Sequence, residues 1–296
     1  MSEIKKKNLR TDLDRMAELI GVELDPERTD RVLDVFSAGF QNLPVEMRTT
    51  NKPSGSQGLS YRFVDFEGRY PDPMQTAVDG GLVKAEGRVW QFAKEAAQGE
   101  LMGWGVDASA TTGVEKIWPF LGKSRRLEDV EEHMPSLPSA VCAARPALLA
   151  HGMSRYSIVA ADFAHETCNL YFPLQDRSWA TEDNFRSLAD ALGLHVDEDL
   201  LPYMTQGLFA NFTFSWTRDE VQRFCVYVPA PSPDAVPPMR EPITTVLKSA
   251  PFASEARAFI MGPTLTRDGS FVKIETDWSG MIMGIFQQCM GVEPAL

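Results

Sequence analysis

Leu208-Phe-Ala-Asn-Phe-Thr-Phe-Ser-Trp216 and Val221-Gln-Arg-Phe-Cys-Val-Tyr-Val228 are the stretches on which the reading of the fold turns. Successive side chains of a strand point to opposite sides. The first stretch therefore puts Leu208, Ala210, Phe212, Phe214 and Trp216 on one face and Phe209, Asn211, Thr213 and Ser215 on the other. In the second, Gln222, Phe224, Val226 and Val228 oppose Arg223, Cys225 and Tyr227. Further out, Thr167–Pro173 sets Cys168, Leu170 and Phe172 against Thr167, Asn169 and Tyr171. Ser270–Trp278 sets Val272 and Ile274 against Lys273, Glu275 and Asp277. Four predicted strands thus share one plan, an apolar face fit to pack on helices and an opposite face of mixed polar, aromatic and sparsely charged groups. Two readings fit that second face: a solvated side of an antiparallel sheet, or the lining of a cavity. A solvated side would usually carry more Lys and Glu.

The order of elements extends the pattern. Asp12–Ile20 and Pro26–Leu43 show helical spacing of apolar residues. Strand candidates Val45–Asn51 and Leu59–Phe66 follow, joined through Pro53-Ser-Gly-Ser-Gln-Gly58. Helical text over Pro73–Ala97 precedes strands Leu101–Asp107 and Val114–Phe120; more helix runs to His151, before strands Ser154–Asp162 and Thr167–Pro173. Helices over Glu182–Tyr203 lead into the quoted pair. Helix Ile243–Ser249 precedes strands Ala256–Leu265 and Ser270–Trp278, and Gly280–Met290 reads as a closing helix. These are five helix–helix–strand–strand units, repeating every 50–55 residues or so, a period that signals internal repetition. The fold class is α/β in the α+β sense, with ten antiparallel strands. They can form an open sheet with helices on one face, or a barrel ringed by helices, which removes exposed edges. Ten strands enclose more room than eight, whose interior side chains can fill.

The chain has 296 residues, 44% hydrophobic and 24% charged, with a formal net charge of −12. That acidity disfavours nucleic acid and anionic membranes as partners. An anionic ligand would need positive charge concentrated locally against the overall sign. Cys142, Cys168, Cys225 and Cys289 form no CxxC pair, which fits reduced thiols in a cytoplasmic protein. Met1–Arg10 is charged and lacks the apolar core of a secretory signal. No stretch reaches the roughly 18 apolar residues of a membrane span.

Five runs carry a family resemblance: Leu59-Ser-Tyr-Arg-Phe63, Lys116-Ile-Trp118, Cys168-Asn-Leu-Tyr-Phe172, Leu192-Gly-Leu-His-Val196 and Lys248-Ser-Ala-Pro-Phe252. Together, and in this order from about Val32 to Trp278, they resemble the soluble aromatic prenyltransferases of the αββα barrel type found in bacterial and fungal secondary metabolism. The resemblance implies one domain over 1–296, a ten-stranded antiparallel barrel surrounded by helices. It implies transfer of a dimethylallyl or geranyl group from its diphosphate to an aromatic small molecule. It places Lys116, Thr167, Asn169, Tyr171, Arg223 and Lys273 on the diphosphate, with Asp107 beside Lys116. Metal-dependent members carry an aspartate where this chain has Arg62. Metal-independent members carry an arginine there, so Arg62 joins the implied diphosphate ligands and no cofactor, Mg²⁺ included, is expected. Asn211 departs from the pattern by replacing a diphosphate-binding tyrosine of some members, which turns it toward the acceptor.

These residue types suit the chemistry. A leaving diphosphate builds charge on its oxygens, and preorganised cations in a water-poor site stabilise it. Arg grips phosphate with a fork, whereas Lys acts as a point charge. An allylic cation is attracted to aromatic faces that also exclude water, for which Trp118, Tyr171 and Phe209 are candidates; plain core packing is the alternative for each. Cys225 and Asp277 complete the expected acceptor and prenyl pocket. Glu275, two residues beyond Lys273, is the candidate base, with pairing to a nearby cation as its other reading. Lys116 and Asp107 are the remaining candidate catalytic groups. Glu131-Glu-His133 and His165-Glu166 lack metal-site spacing. Gly103 and Gly105 precede no helix and so make no dinucleotide fingerprint. No DDxxD run occurs. A noncatalytic barrel that binds an apolar molecule is the alternative function, and a hydrolase or cyclase using the same diphosphate is a third. Several inward cations argue against the carrier.

Overall fold

Helix starts are marked by the chain itself in the computed structural model, which describes residues 2–53 and 57–289, the side chains of 2–7 and 286–289 excepted. After α1 (Ser2–Ile20), Asp25 accepts the N–H of Arg28 and Pro26 takes the first helical position of α2 (Pro26–Val35). Asp72 and Pro73 repeat the device at α4 (Pro73–Asp79). Two predicted helices are each two. The chain breaks at Phe36 (φ −100°, ψ 25°) before α3 (Ser37–Asn42), and the turn brings Phe40 edge-on to Phe63 at 5.1 Å. Pro73–Ala97 divides into α4 and α5 (Gly87–Ala96) after Gly81, whose φ of +62° suits glycine. Ser54, Gly55 and Ser56 of the predicted linker and Met290 of the predicted last helix lie outside the described residues.

The ten strands are β1 (Val45–Thr50), β2 (Ser60–Asp65), β3 (Leu101–Ser109), β4 (Gly113–Arg126), β5 (Arg155–Asp162), β6 (Thr167–Pro173), β7 (Phe209–Ser215), β8 (Arg223–Ala230), β9 (Phe259–Thr266) and β10 (Ser270–Thr276). They close into one antiparallel barrel in the order β1-β10-β9-β8-β7-β6-β5-β4-β3-β2. Of the two arrangements open to ten such strands, the closed one is found. Helices α6 (Val130–His133), α7 (Ser139–Ala150), α8 (Glu182–Ala191), α9 (Leu201–Met204) and α10 (Ile243–Ser249) fall between the later hairpins, and α11 (Ile282–Cys289) follows the last strand.

The alternation read from the quoted strands separates two apolar cores. Phe172, Phe212, Phe214 and Phe224 point outward and pack with the helix faces in one large cluster. Phe212 and Phe224, opposite each other in register, stack at 4.7 Å. A smaller cluster, including Val64, Trp118, Phe120, Tyr171, Ile260 and Ile282, is separate from it and lies within the barrel. Close approach there depends on missing side chains. A Cβ on Gly105 would stand 2.7 Å from the Trp118 ring opposite it. One on Gly262 would press on the stem of Lys273 at 3.2 Å and on Cys225 Sγ at 3.3 Å.

Candidate active site

Strand register assembles a ladder of charge inside the barrel. Glu46 pairs with Arg62, Arg62 with Asp107, Asp107 with Lys116, and Lys116 with Asp162, each on the neighbouring strand. Signs alternate along the row, so each cross-strand neighbour is an opposite charge. Arg62 Nε lies 3.8 Å from Glu46 and 3.7 Å from Asp107. Lys116 Nζ lies 3.8 Å from Asp107 and 3.1 Å from Asp162. Arg48 adds a contact to Asp107 at 3.0 Å and one to Glu115 at 3.4 Å. Burial alone would raise the Asp107 carboxyl, but Arg48, Arg62 and Lys116 together hold it below the ordinary aspartate value.

The interior is divided in two. One chamber, about 990 Å³ with the open solvent at its entrance, is polar and is lined by Arg48, Lys52, Lys116, Arg223 and Lys273, with Asn169 and Thr213 among its other groups. The other, about 840 Å³, is mostly apolar and is lined by Val64, Phe66, Phe120, Phe209, Ile260 and Ile282, with Arg62, Glu46 and Glu275. Trp118, Tyr171 and Tyr227 line both chambers. Trp118 and Tyr171 are 6.2 Å apart and Tyr171 and Tyr227 stack at 6.0 Å, so an aromatic belt separates the two spaces. Burial pushes the Tyr171 phenol up to about 12, which keeps it a hydroxyl donor.

The cations of the polar chamber differ in one respect. Arg48 and Lys116 have carboxylate partners, whereas among the described residues no carboxylate oxygen lies within 4 Å of Lys52, Arg223 or Lys273. Arg223 Nε reaches only the Thr213 hydroxyl, at 3.4 Å. Lys273 Nζ stands 5.6 Å from the Tyr227 ring centre and Lys52 Nζ 4.5 Å from that of Phe271. Burial, reinforced by Arg223, Arg48 and Lys116, lowers Lys273 to about 8, and burial and the same neighbours lower Lys52. Clustered cations that depress one another's charge form a ready site for a polyanion. Positive charge is thus concentrated locally within a chain of net charge −12.

Several expected site residues stand elsewhere than the sequence suggested. Arg62 lines the apolar chamber and not the polar one; it is 2% exposed, its guanidinium held by Glu275 at 3.0 and 3.2 Å and centred 4.7 Å from the Trp118 ring. Three carboxylates lie within salt-bridge distance of that guanidinium, while its Nε and Nη2 make no hydrogen bond among the described residues. Asp277 lies past the end of β10 and accepts the backbone N–H groups of Met281, Ile282 and Met283, so it starts α11 and lines neither chamber. Thr167 continues the charged row beyond Asp162 but stays outside the lining of both, its hydroxyl buried without a partner. Asn211 and Cys225 pair in register on the face of Tyr171 and Tyr227 but are not among the residues that line either chamber. Lys116, Asn169, Tyr171, Arg223 and Lys273 do meet in the polar chamber, and Trp118, Phe209 and Glu275 in or at the apolar one.

Sequence reasoning passed over Glu46, Arg48 and Lys52. The alternation of β1, with Glu46, Arg48 and Thr50 opposite Val45, Met47 and Thr49, carried the signal for the first two. Burial, then the nearby Glu275, pushes the Glu46 carboxyl well above the usual carboxylate range. Its Oε1 is buried with no partner and Glu46 lines the apolar chamber. Among the described residues, no three His, Cys, Asp or Glu side chains are grouped to hold a metal ion, and no helix is long and apolar enough to cross a membrane.

Known proteins resemble the chain in fold and in sequence. The 5-dimethylallyltryptophan synthase of Streptomyces coelicolor superposes with a TM-score of 0.66 at 13% identity, covering 92% of this chain and 96% of that one. The 6-dimethylallyltryptophan synthase of Micromonospora olivasterospora, solved in complex with DMASPP and Trp, gives 0.58 at 15% identity over 92% and 97%. At these identities the likeness is one of fold. In sequence, the 4-hydroxyphenylpyruvate 3-dimethylallyltransferase of Streptomyces niveus is 28% identical over 284 residues, 94% of this chain and 86% of the relative. The 5,10-dihydrophenazine-1-carboxylate 9-dimethylallyltransferase of Streptomyces anulatus is 24% identical over 270 residues, 89% and 90% of the two. The description of the family named aromatic prenyltransferase Orf2 matches residues 4–289. A match that runs through every strand of the barrel establishes that this chain belongs to the Orf2 family of aromatic prenyltransferases.

Proposed function

We propose that the chain, acting as one unit over 1–296 in the cytoplasm, transfers a dimethylallyl group from its diphosphate to an aromatic small molecule without Mg²⁺. One observation carries the reading: Lys52, Arg223 and Lys273 are cations without carboxylate partners among the described residues, in a chamber that an aromatic belt divides from an apolar one. The diphosphate takes the polar chamber, and the prenyl tail and the acceptor ring take the apolar one. The names of the two curated relatives support dimethylallyl over a longer group.

In the reaction the allylic C–O bond breaks and its electron pair leaves with the diphosphate. Lys273, Arg223, Lys52 and Lys116 stabilise that growing charge. The allylic cation lies against Trp118, Tyr171 and Tyr227, whose faces attract it and keep water away. A ring carbon of the acceptor supplies the electron pair of the new C–C bond, and the proton on that carbon leaves to a base. Glu275 borders the chamber with both of its oxygens facing Arg62, at 3.0 and 3.2 Å. An electron-rich acceptor needs only a weak base.

Three features support metal independence. Asp107, Glu115 and Asp162, the carboxylates nearest the polar chamber, are each engaged by Arg48, Arg62 or Lys116. Arg62 stands where metal-dependent members have an aspartate. The cations in the chamber already supply the charge that an ion would bring. These residues do not fit a magnesium site. The test is incubation with dimethylallyl or geranyl diphosphate and a panel of phenols, naphthols, phenazines and indoles, with and without excess EDTA, read by mass spectrometry. Prenylated product is expected in both conditions. Loss in EDTA with rescue by Mg²⁺ defeats the metal-independent reading; no product with any acceptor defeats the assigned transfer.

A further inference from the structure

His165 is a residue of the polar chamber that the charge ladder presents and the mechanism above does not use. It lies in the turn between β5 and β6 and lines the chamber at its mouth, with a side chain 58% exposed. The turn is built around it. Asp162, fully buried, accepts the backbone N–H of His165 at 2.9 Å and faces the ring Nδ1 at 3.0 Å through Oδ1 and 3.2 Å through Oδ2. The same carboxylate reaches Lys116 at 3.1 Å through Oδ2. Lys116 and the His165 hydrogen bonds, outweighing burial, hold the Asp162 carboxyl well below its ordinary value, so it accepts and does not donate. Nδ1 must then carry the proton, which leaves Nε2 as the free ring nitrogen. Glu166, next in the chain, is the one non-glycine residue among those described with a positive φ, 48°. A strained residue of this kind persists where the surroundings demand it.

We infer that His165 is a further diphosphate-binding residue, presented by Asp162, whose Nε2–H donates to the outermost phosphate when the ring is protonated. This rests on the reading of the polar chamber as the diphosphate site. A neutral imidazole turns a lone pair toward the phosphate and makes no such bond. An imidazolium adds a charge-assisted bond. The charged groups that line the chamber with it are Asp162 on β5, Glu115 and Lys116 on β4, Arg48 on β1, Lys52 in the loop after β1, Arg223 on β8 and Lys273 on β10, with Glu166 next to it in the turn. Histidine is the side chain that changes charge between pH 5 and 8, so donor binding carries a contribution at acid pH that fades toward pH 8.5.

The test compares wild type with His165→Gln, which stays neutral. For the donor, dimethylallyl diphosphate, KM should be about threefold to fivefold higher in the variant at pH 6, the size of a half-exposed charge pair. At pH 8.5 the two enzymes should converge. The KM of the acceptor should not change at either pH. Titration of Lys273 and of the diphosphate itself is common to both enzymes, so the ratio isolates His165. Equal donor KM values at pH 6, or an equal shift in acceptor KM, overturns the inference. Calorimetric titration with inorganic pyrophosphate asks the same question without turnover. There a wild-type to variant affinity ratio of about threefold to fivefold at pH 6, closing at pH 8.5, supports the role. A ratio of one at both pH values refutes it, even if the transfer assay fails for other reasons.

Discussion

Replacing Arg62 by Met is the sharpest test of how the barrel interior is held together. The guanidinium is 2% exposed and faces three carboxylates, at 3.0 Å (Glu275), 3.7 Å (Asp107) and 3.8 Å (Glu46). Removing one partner of a buried ion pair strands the other charge and costs about 3–5 kcal/mol. The three carboxylates are not equally stranded. Asp107 keeps Arg48 at 3.0 Å and Lys116 at 3.8 Å. Glu46 is already displaced toward its neutral acid by burial. Glu275 loses the only cation within salt-bridge distance of it among the described residues. The loss should therefore sit near the lower end, about 3 kcal/mol, and lower Tm by roughly 5 °C, since an unfolding entropy of about 2.1 cal/mol/K per residue makes each kcal/mol worth less than about 2 °C in a chain of 296 residues. Differential scanning calorimetry at pH 7.5 measures it. The double variant Arg62→Met with Glu275→Met removes the stranded charge and should recover at least half of the loss. Pyrophosphate affinity of Arg62→Met should stay within about threefold of wild type, because Arg62 lines the apolar chamber and long-range screening is strong near an open mouth. A single variant melting within about 2 °C of wild type, or a double variant no better than the single, would refute the reasoning.

Three further outcomes are expected. Lys273 is charged in the empty site only below about 8, against an ordinary 10.5, because burial and neighbouring cations disfavour its charge. Pyrophosphate affinity should thus fall as pH rises from 8 toward 10, binding at pH 8.5 should take up protons, seen as buffer-dependent heats, and Lys273→Arg should flatten both. A lowered lysine pKa also means that the empty fold is destabilised in full below about 8 and relieved as pH rises toward 10.5, so the empty protein should gain stability over the range where the ligand loses affinity. Gly105→Ala would drive a Cβ to 2.7 Å from the Trp118 ring, so it should cost about 1–3 kcal/mol by overpacking and shift tryptophan fluorescence; an unchanged spectrum and Tm would show that the ring gives way freely. Glu46→Gln keeps the shape of a carboxyl already pushed toward neutrality and should change stability by less than about 1 kcal/mol at pH 7, whereas Glu275→Gln breaks the two-pronged hold on Arg62 and should cost more; the reverse order, read by urea denaturation, would overturn the assignment of the two groups.

Alternation was legible because it is local. Which side of the sheet Arg223, Asn169, Lys273 and Tyr171 occupy depends only on the two-residue repeat of an extended chain, and the structure has them inward as read. The family resemblance, carried by short runs spread along the chain, selected closure over an open sheet. Helix ends were less legible: Phe36 breaks a run whose apolar spacing continues through it, for reasons that lie in its contacts with the sheet.

The sequence by itself determined which face of each strand it read turns inward. Only the tertiary structure decided at what depth each residue sits. Arg62, Lys116, Arg223 and Lys273 all point inward, yet Arg62 lies with the apolar chamber and the other three with the polar one. Asp277 keeps the parity of Lys273 and Glu275 but falls past the strand end and holds a helix. Period two fixes a side chain's face and is silent on its height. Height comes from the pairing register, which sets Glu46 against Arg62 and Arg62 against Asp107, 16 and 45 positions apart along the chain. Register is a property of two strands packed together, and so are the charge ladder, the unpartnered cations and the division of the cavity that follow from it.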